Sequence, residues 1–278
     1  MRTVIDFRLR PNVPEYMSQF DHGVMDKFLS KLARQLPPAR PLGEVVEEVR
    51  RAGISKFVFT GRDTRSSGGW HIANERIAEA VSRYPDVIVG FAGIDPASPD
   101  PIRDLDHAIG DLRLRGISLD FHRAGLGLDD RDRLFPIYAA AEERKIPVVL
   151  TLGPYPASRV VMDLGAPQRL DAVATRFPDL KIVSSHAGWP FVTEMIAVAF
   201  RHDNVFVENS IYQDFPGMEP WVQAYDTILS SKILFASGFP FRDYREALRW
   251  FDQLPLCDGS RDRILHENAA RLLGIAET

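Results

Sequence analysis

Apolar residues along the chain gather into short β-branched runs about thirty residues apart, with helix-like stretches between them. These runs predict strands at 3–10, 54–60, 87–93, 116–122, 146–152, 180–186, 204–209 and 232–238. Between them, "LGEVVEEVR" sets Leu42, Val45, Val46 and Val49 on one helical face, and "RLFPIYAAAEERK" does the same with Leu134, Ile137, Tyr138 and Ala141. Strand and helix alternating through all 278 residues predict an α/β chain folded as a single (β/α)8 TIM-barrel domain over 1–278. An open doubly wound sheet is the competing architecture. The first strand, however, is not followed by the Gly-rich turn that such sheets use to hold phosphate.

Two segments interrupt the rhythm. Residues 11–40 place the helix-like "GVMDKFLSKLARQL" between the first strand and its expected helix, and 61–71, "GRDTRSSGGWH", form a polar loop after the second strand. Both follow strand C-termini, the barrel face on which active sites are built.

Side chains alternate across a strand, so the polar positions of each strand can be assigned a side. In "TVIDFRLR" the apolar Ile5, Phe7 and Leu9 fit the helix-facing side, which sends Asp6, Arg8 and Arg10 inward. In "GISLDFH" the same logic sends Ser118, Asp120 and His122 inward. Thr151 ends the fifth strand, His186 the sixth, and Glu208 or Asn209 the seventh. The mouth is thus expected to gather Arg8, Arg10, Asp120, His122, Thr151, His186 and Glu208, with Trp70 and His71 on the loop beside it. His186 stands in "SSHAGWP", where the strand turns sharply through Gly188. Each residue also has a structural explanation: Arg8 can pair with Asp6 or Asp120, and His122 can be a hydrogen-bonded core histidine.

Composition narrows the class. A net charge of −4 argues against a nucleic-acid partner, which favours basic surfaces. No apolar run reaches the roughly 18 residues a membrane helix needs, and "MRTVIDFRLR" has no apolar signal core, so a cytoplasmic enzyme is expected. The single Cys257 permits neither an internal disulfide nor a Cys-x-x-Cys metal knuckle.

Six segments in order carry a resemblance: "ANERIAEAVSRYPDVIVGFAGIDP" (73–96), "LFPIYAAAEERKIPVVLTLG" (134–153), "FPDLKIVSSHAGWPF" (177–191), "NVFVENS" (204–210), "KILFASGFPF" (232–241) and "ENAARLLGI" (267–275). The chain resembles the amidohydrolase-related family, in the branch that holds aminocarboxymuconate-semialdehyde decarboxylase. That family holds a divalent metal with a His-x-His on the first strand, a histidine ending the fifth and an aspartate ending the eighth, and a sixth-strand histidine works at the metal or as acid/base. At the matching positions this chain has Arg8, Arg10, Thr151 and "Ala-Ser-Gly-Phe-Pro" (236–240), and only His186 agrees. Guanidinium groups do not ligate cations, so the comparison implies a degenerate metal site and no metal or other cofactor.

Two arginines two residues apart suit carboxylate oxygens. The expected function is a metal-independent hydrolase of a small anionic metabolite, such as a lactone, ester or amide. Arg8, Arg10 and His122 would bind the substrate, with Glu208, Trp70 and His71 near it. His186 would be general base and Thr151 the group that orients water, with Asp120 or Glu208 as the alternative base. A decarboxylase or other lyase of an unsaturated or aromatic acid is the second reading, and an inactive ligand-binding or scaffold homologue the third. The resemblance also implies a homodimer.

Overall fold

The computed structural model describes residues 3–20, 22–154 and 161–275. Eight parallel strands lie side by side in chain order: β1 (Val4–Asp6), β2 (Ile54–Thr60), β3 (Ile88–Ile94), β4 (Ile117–Leu119), β5 (Val148–Leu150), β6 (Ile182–Ser184), β7 (Val205–Glu208) and β8 (Ile233–Leu234). Hydrogen bonds from Phe7 N to Phe235 O (2.8 Å), Gly238 N to Arg8 O (2.9 Å) and Arg10 N to Phe239 O (3.0 Å) bring the last strand back to the first. The result is a (β/α)8 barrel. Every strand overlaps its predicted run, and most are shorter; β3 alone runs past it, by one residue, to Ile94. The backbone leaves the ladder where it bends toward the mouth, at Phe7–Arg8 after β1, in a turn at Phe121–Ala124 after β4 and in another at Ser185–Gly188 after β6.

Strict alternation fails on β1 for this reason. Ile5 and Phe7 do not face the helices; they cluster with Val58, Val89, Phe91, Val149, Val183, Leu234 and Ala236. Those residues alternate with Phe57, Phe59, Ile88, Val148, Leu150, Ile182 and Ile233, which pack with the surrounding helices, so the first set fills the barrel interior. Phe7 meets Phe91 edge to face at 5.8 Å there. The bend at Phe7–Arg8 then turns the chain, so Leu9 joins the helix-side core while Arg8 reaches across the interior. Ala269, Ala270, Leu272 and Leu273 of the last helix (Asn268–Leu273) pack against the interior cluster, and Arg115, just before β4, donates to Leu273 O at 2.7 Å. The N-terminal end of the barrel is therefore apolar and closed, and polar chemistry is left to the other end.

The 11–40 segment supplies two helices, Pro14–Met17 and His22–Lys31. The 61–71 loop carries a single turn at Arg65–Ser67 and folds back on itself through an antiparallel bridge between Asp63 and His71. Among the described residues, no helix is long and apolar enough to cross a membrane.

Candidate active site

The barrel mouth is a layer of arginines resting on carboxylates. Arg8 is buried, with Nη1 donating to Ser185 Oγ (2.7 Å) and Nη2 to Thr151 Oγ1 (2.9 Å), and Nε lying 3.6 Å from Glu208 Oε1. One side chain from β1 thus ties together the ends of β5, β6 and β7. Arg10, also buried, donates from Nε to Thr60 O (2.8 Å) and from Nη2 to Gly61 O (3.4 Å), both backbone carbonyls. Among the described residues it makes no ion pair with a carboxylate. Burial, then the neighbouring Arg8 and Arg62, lower its pKa to about 9, the condition of a cation short of a counter-charge.

Arg62 completes the layer, and the sequence reading did not single it out. The signal was present: Val58, Thr60 and Arg62 follow one another at every second position, continuing the interior face of β2 into the loop. Gly61 permits this, because a Cβ there would stand 2.2 Å from Gly93 N on β3. Arg62 grips Asp120 with a two-pronged ion pair, Nε–Oδ2 2.8 Å and Nη2–Oδ1 2.9 Å, and its guanidinium lies 4.9 Å from the Trp70 ring centroid. Burial alone would raise the Asp120 carboxyl. Arg62, Arg10 and Arg8 outweigh it and hold the group well below the usual carboxylate range. Asp120 is therefore a fixed anion under Arg62 and a poor proton acceptor.

His186 sits on a strained turn. His186 (φ 60°) and Ala187 (φ 52°) both adopt left-handed backbone, followed by Gly188 (φ 64°), where a Cβ would meet Met195 Cγ at 2.6 Å. This turn brings the imidazole to the mouth, with Nδ1 2.8 Å from Ser210 Oγ and 4.0 Å from Glu208 Oε1. Burial, then Arg8 and Arg10, lower its pKa well below 6.5, so the ring is neutral at neutral pH.

Arg8, Arg10, Arg62, Trp70, Thr151 and His186 line one cleft. Its apolar walls include Met25 and Phe28 of the inserted helix, together with Tyr212 and Phe241. The other sequence candidates lie elsewhere. Asp120 and Glu208 are buried beneath the arginines and do not line the cleft. His122 occupies the turn after β4, edge-on to Phe121 at 4.8 Å, and burial lowers its pKa to about 4. His71 faces away from Trp70 into a separate cavity, its backbone N–H donating to Gln19 Oε1 at 2.7 Å.

No curated protein matches the sequence. Among solved structures, an uncharacterised TIM-barrel protein of Bordetella bronchiseptica is 31% identical, with 98% of this chain and 99% of that one covered at a TM-score of 0.88. A dihydroxybenzoic acid decarboxylase from Polaromonas is 17% identical, covering 100% and 98% of the two chains at 0.71. A protein described as a probable 2-pyrone-4,6-dicarboxylic acid hydrolase of Acinetobacter baumannii is 15% identical, covering 99% and 100% at 0.68. At the last two identities the likeness is one of fold.

The expectation of a cofactor-free protein is overturned by this company. The Polaromonas decarboxylase and a 5-carboxyvanillate decarboxylase of Novosphingobium aromaticivorans were both crystallised with bound manganese. The expectation rested on four replaced ligand positions, two of them now arginine, and ligands can be recruited from positions that a motif does not cover. Among the described residues, no group of three or more His, Cys, Asp or Glu is placed to hold a metal ion, and the inward groups at the mouth are chiefly guanidiniums. No chemical step below is routed through a metal. The amidohydrolase family model matches residues 36–275, and the chain belongs to that amidohydrolase family.

Proposed function

We propose that the chain is an enzyme acting on a small carboxylate-bearing metabolite, held by Arg10 and Arg8 and turned over by the neutral imidazole of His186. Arg10 carries the reading. A buried guanidinium held, among the described residues, by two backbone carbonyls retains N–H donors that face a cleft, and its missing counter-charge is what a substrate carboxylate supplies. The charges agree: Arg8, Arg10 and Arg62 stand against Asp120 and Glu208, leaving one positive charge for one anion. In a hydrolytic reaction on a lactone, ester or amide, His186 takes the proton from the attacking water and passes it to the leaving oxygen or nitrogen as the acyl C–O or C–N bond breaks. Arg8 and Arg10, both buried guanidiniums, stabilise the oxyanion. The Acinetobacter neighbour, crystallised with citric acid bound, supports a site of this kind for carboxylates.

Decarboxylation of an unsaturated or aromatic acid is the second reading. The flat walls provided by Trp70, Phe28, Tyr212 and Phe241 favour it, as does the presence of decarboxylases among the structural neighbours. A thermal-shift panel of aliphatic and aromatic carboxylates on the wild type and Arg10→Met tests the common part. Loss of a charge-assisted pair worth about 1.5–3 kcal/mol weakens binding roughly 10- to 150-fold in the variant. Equal stabilisation of both proteins by the same acids defeats the proposal. For an acid that binds, carbon dioxide release against water-dependent bond opening separates the two reactions. In either case His186→Gln keeps affinity and loses turnover.

A further inference from the structure

We infer that Ser210 is a positioning residue that fixes His186 in one tautomer, with the proton on Nδ1 and the Nε2 lone pair left for the cleft. This deepens the reading of His186 as a base and rests on it only for its functional meaning. A neutral imidazole carries a single ring proton, and an oriented base needs that proton on the side away from the substrate. The Ser210 hydroxyl can donate or accept, and it is the carboxylate of Glu208 on the same side of the ring that favours a proton on Nδ1, with the hydroxyl as its acceptor. Ser210 Oγ lies 2.8 Å away, and Glu208 Oε1, an acceptor only, lies 4.0 Å away.

The hydroxyl is itself held in place. Ser210 N donates to Glu208 Oε2 at 2.7 Å, and Tyr212 N donates back to Ser210 O, also at 2.7 Å, so the chain just after β7 is pinned beside the ring. Both Ser210 and Glu208 are fully buried, which keeps water from competing for Nδ1. Tyr212 packs edge-on to the imidazole at 5.6 Å and limits its rotation. Ser210 was not among the residues the sequence pointed to, since it stands beyond the strand end in a run of small polar residues.

The test uses the intact protein with histidine labelled at both ring nitrogens and long-range nitrogen–proton NMR, with His186→Gln identifying the signal among the seven histidines. The wild type is expected to show Nδ1 protonated and Nε2 bare throughout the neutral range, and Ser210→Thr to preserve that pattern. Ser210→Ala removes the acceptor, and the Nε2–H form becomes populated. A wild-type ring protonated at Nε2 overturns the inference, and so does a Ser210→Ala ring that keeps the single Nδ1–H form. Should the alanine variant not fold, Ser210→Cys, with a thiol that accepts hydrogen bonds weakly, is read by the same two criteria. Failure of the base reading looks different: the tautomer stays as expected while His186→Gln retains turnover.

Discussion

At Asp6 one carboxylate oxygen accepts the backbone amides of both Arg8 and Ser237, each at 3.0 Å, and so fastens the bend after β1 to the loop after β8. Burial raises the pKa of this carboxyl from 3.8 to about 7, although the hydrogen bonds from Ser237 and Arg8 offset part of the rise. The folded state therefore holds a proton that the unfolded chain gives up at lower pH. The stability this contributes is fully present below 3.8 and is lost as pH rises through about 7. Asp6→Asn keeps an acceptor oxygen and does not titrate. Across that window the wild type is expected to lose stability relative to the variant, by up to about 4 kcal/mol. Thermal melts of both proteins over the window check this, and parallel pH profiles would refute it. Alternation alone did point inward from Arg8 and Arg10, because both lie past the bend on the interior side. It misplaced Ile5 and Phe7, since a period of two holds only while the strand stays straight, and the hydrogen bonds Asp6 makes to the bend involve backbone amides that no side-chain pattern displays.

The elements around the mouth differ in how openly the sequence announced them. Eight strands were readable because each is an apolar run bounded by turns. The insertions were visible as interruptions, but not what they would touch. The helix His22–Lys31 lays Met25 and Phe28 over the cleft, and Arg34 just beyond it reaches Ile211 O (3.1 Å) and Glu246 Oε1 (3.3 Å) across the mouth. These partners are 177 and 212 residues away in sequence, so no local pattern contains them. The 61–71 loop likewise reads as a plain polar stretch, although it delivers Arg62 and Trp70 to one cavity and His71 to another. Because Arg34 anchors the inserted helix through partly exposed groups, Arg34→Ala is expected to cost less than about 1 kcal/mol of global stability. Locally the effect is larger: hydrogen exchange in the peptide spanning 22–31 speeds up, and carboxylate binding weakens. Unchanged protection of that peptide would show that the apolar contacts of Met25 and Leu29 hold the helix without Arg34.

Over the whole molecule, Arg8 and Arg10 divide two tasks that their sequence spacing makes look alike. Arg8 is a strut: it spans the barrel interior to Thr151 and Ser185 and stands beside Glu208, a carboxylate with no exposed surface. Its removal leaves that charge buried without its partner, a change that typically costs about 3–5 kcal/mol. Arg10 sits in the same layer without an ion-pair partner among the described residues, and burial, then two other guanidiniums, lower its proton affinity. On the proposed reading its charge weakens the fold without ligand and is compensated when a carboxylate binds, which is where a site selected for binding diverges from one selected for stability. Urea denaturation therefore separates the pair. Without ligand, Arg8→Met is expected to lose several kcal/mol, about the 3–5 above, whereas Arg10→Met is neutral or more stable than the wild type. With a binding carboxylate at saturation the order for Arg10 reverses, because the wild type gains stability from the ligand and the variant does not. If both variants are destabilised alike without ligand, Arg10 is a second strut, and the anion that its geometry calls for is not what keeps it there.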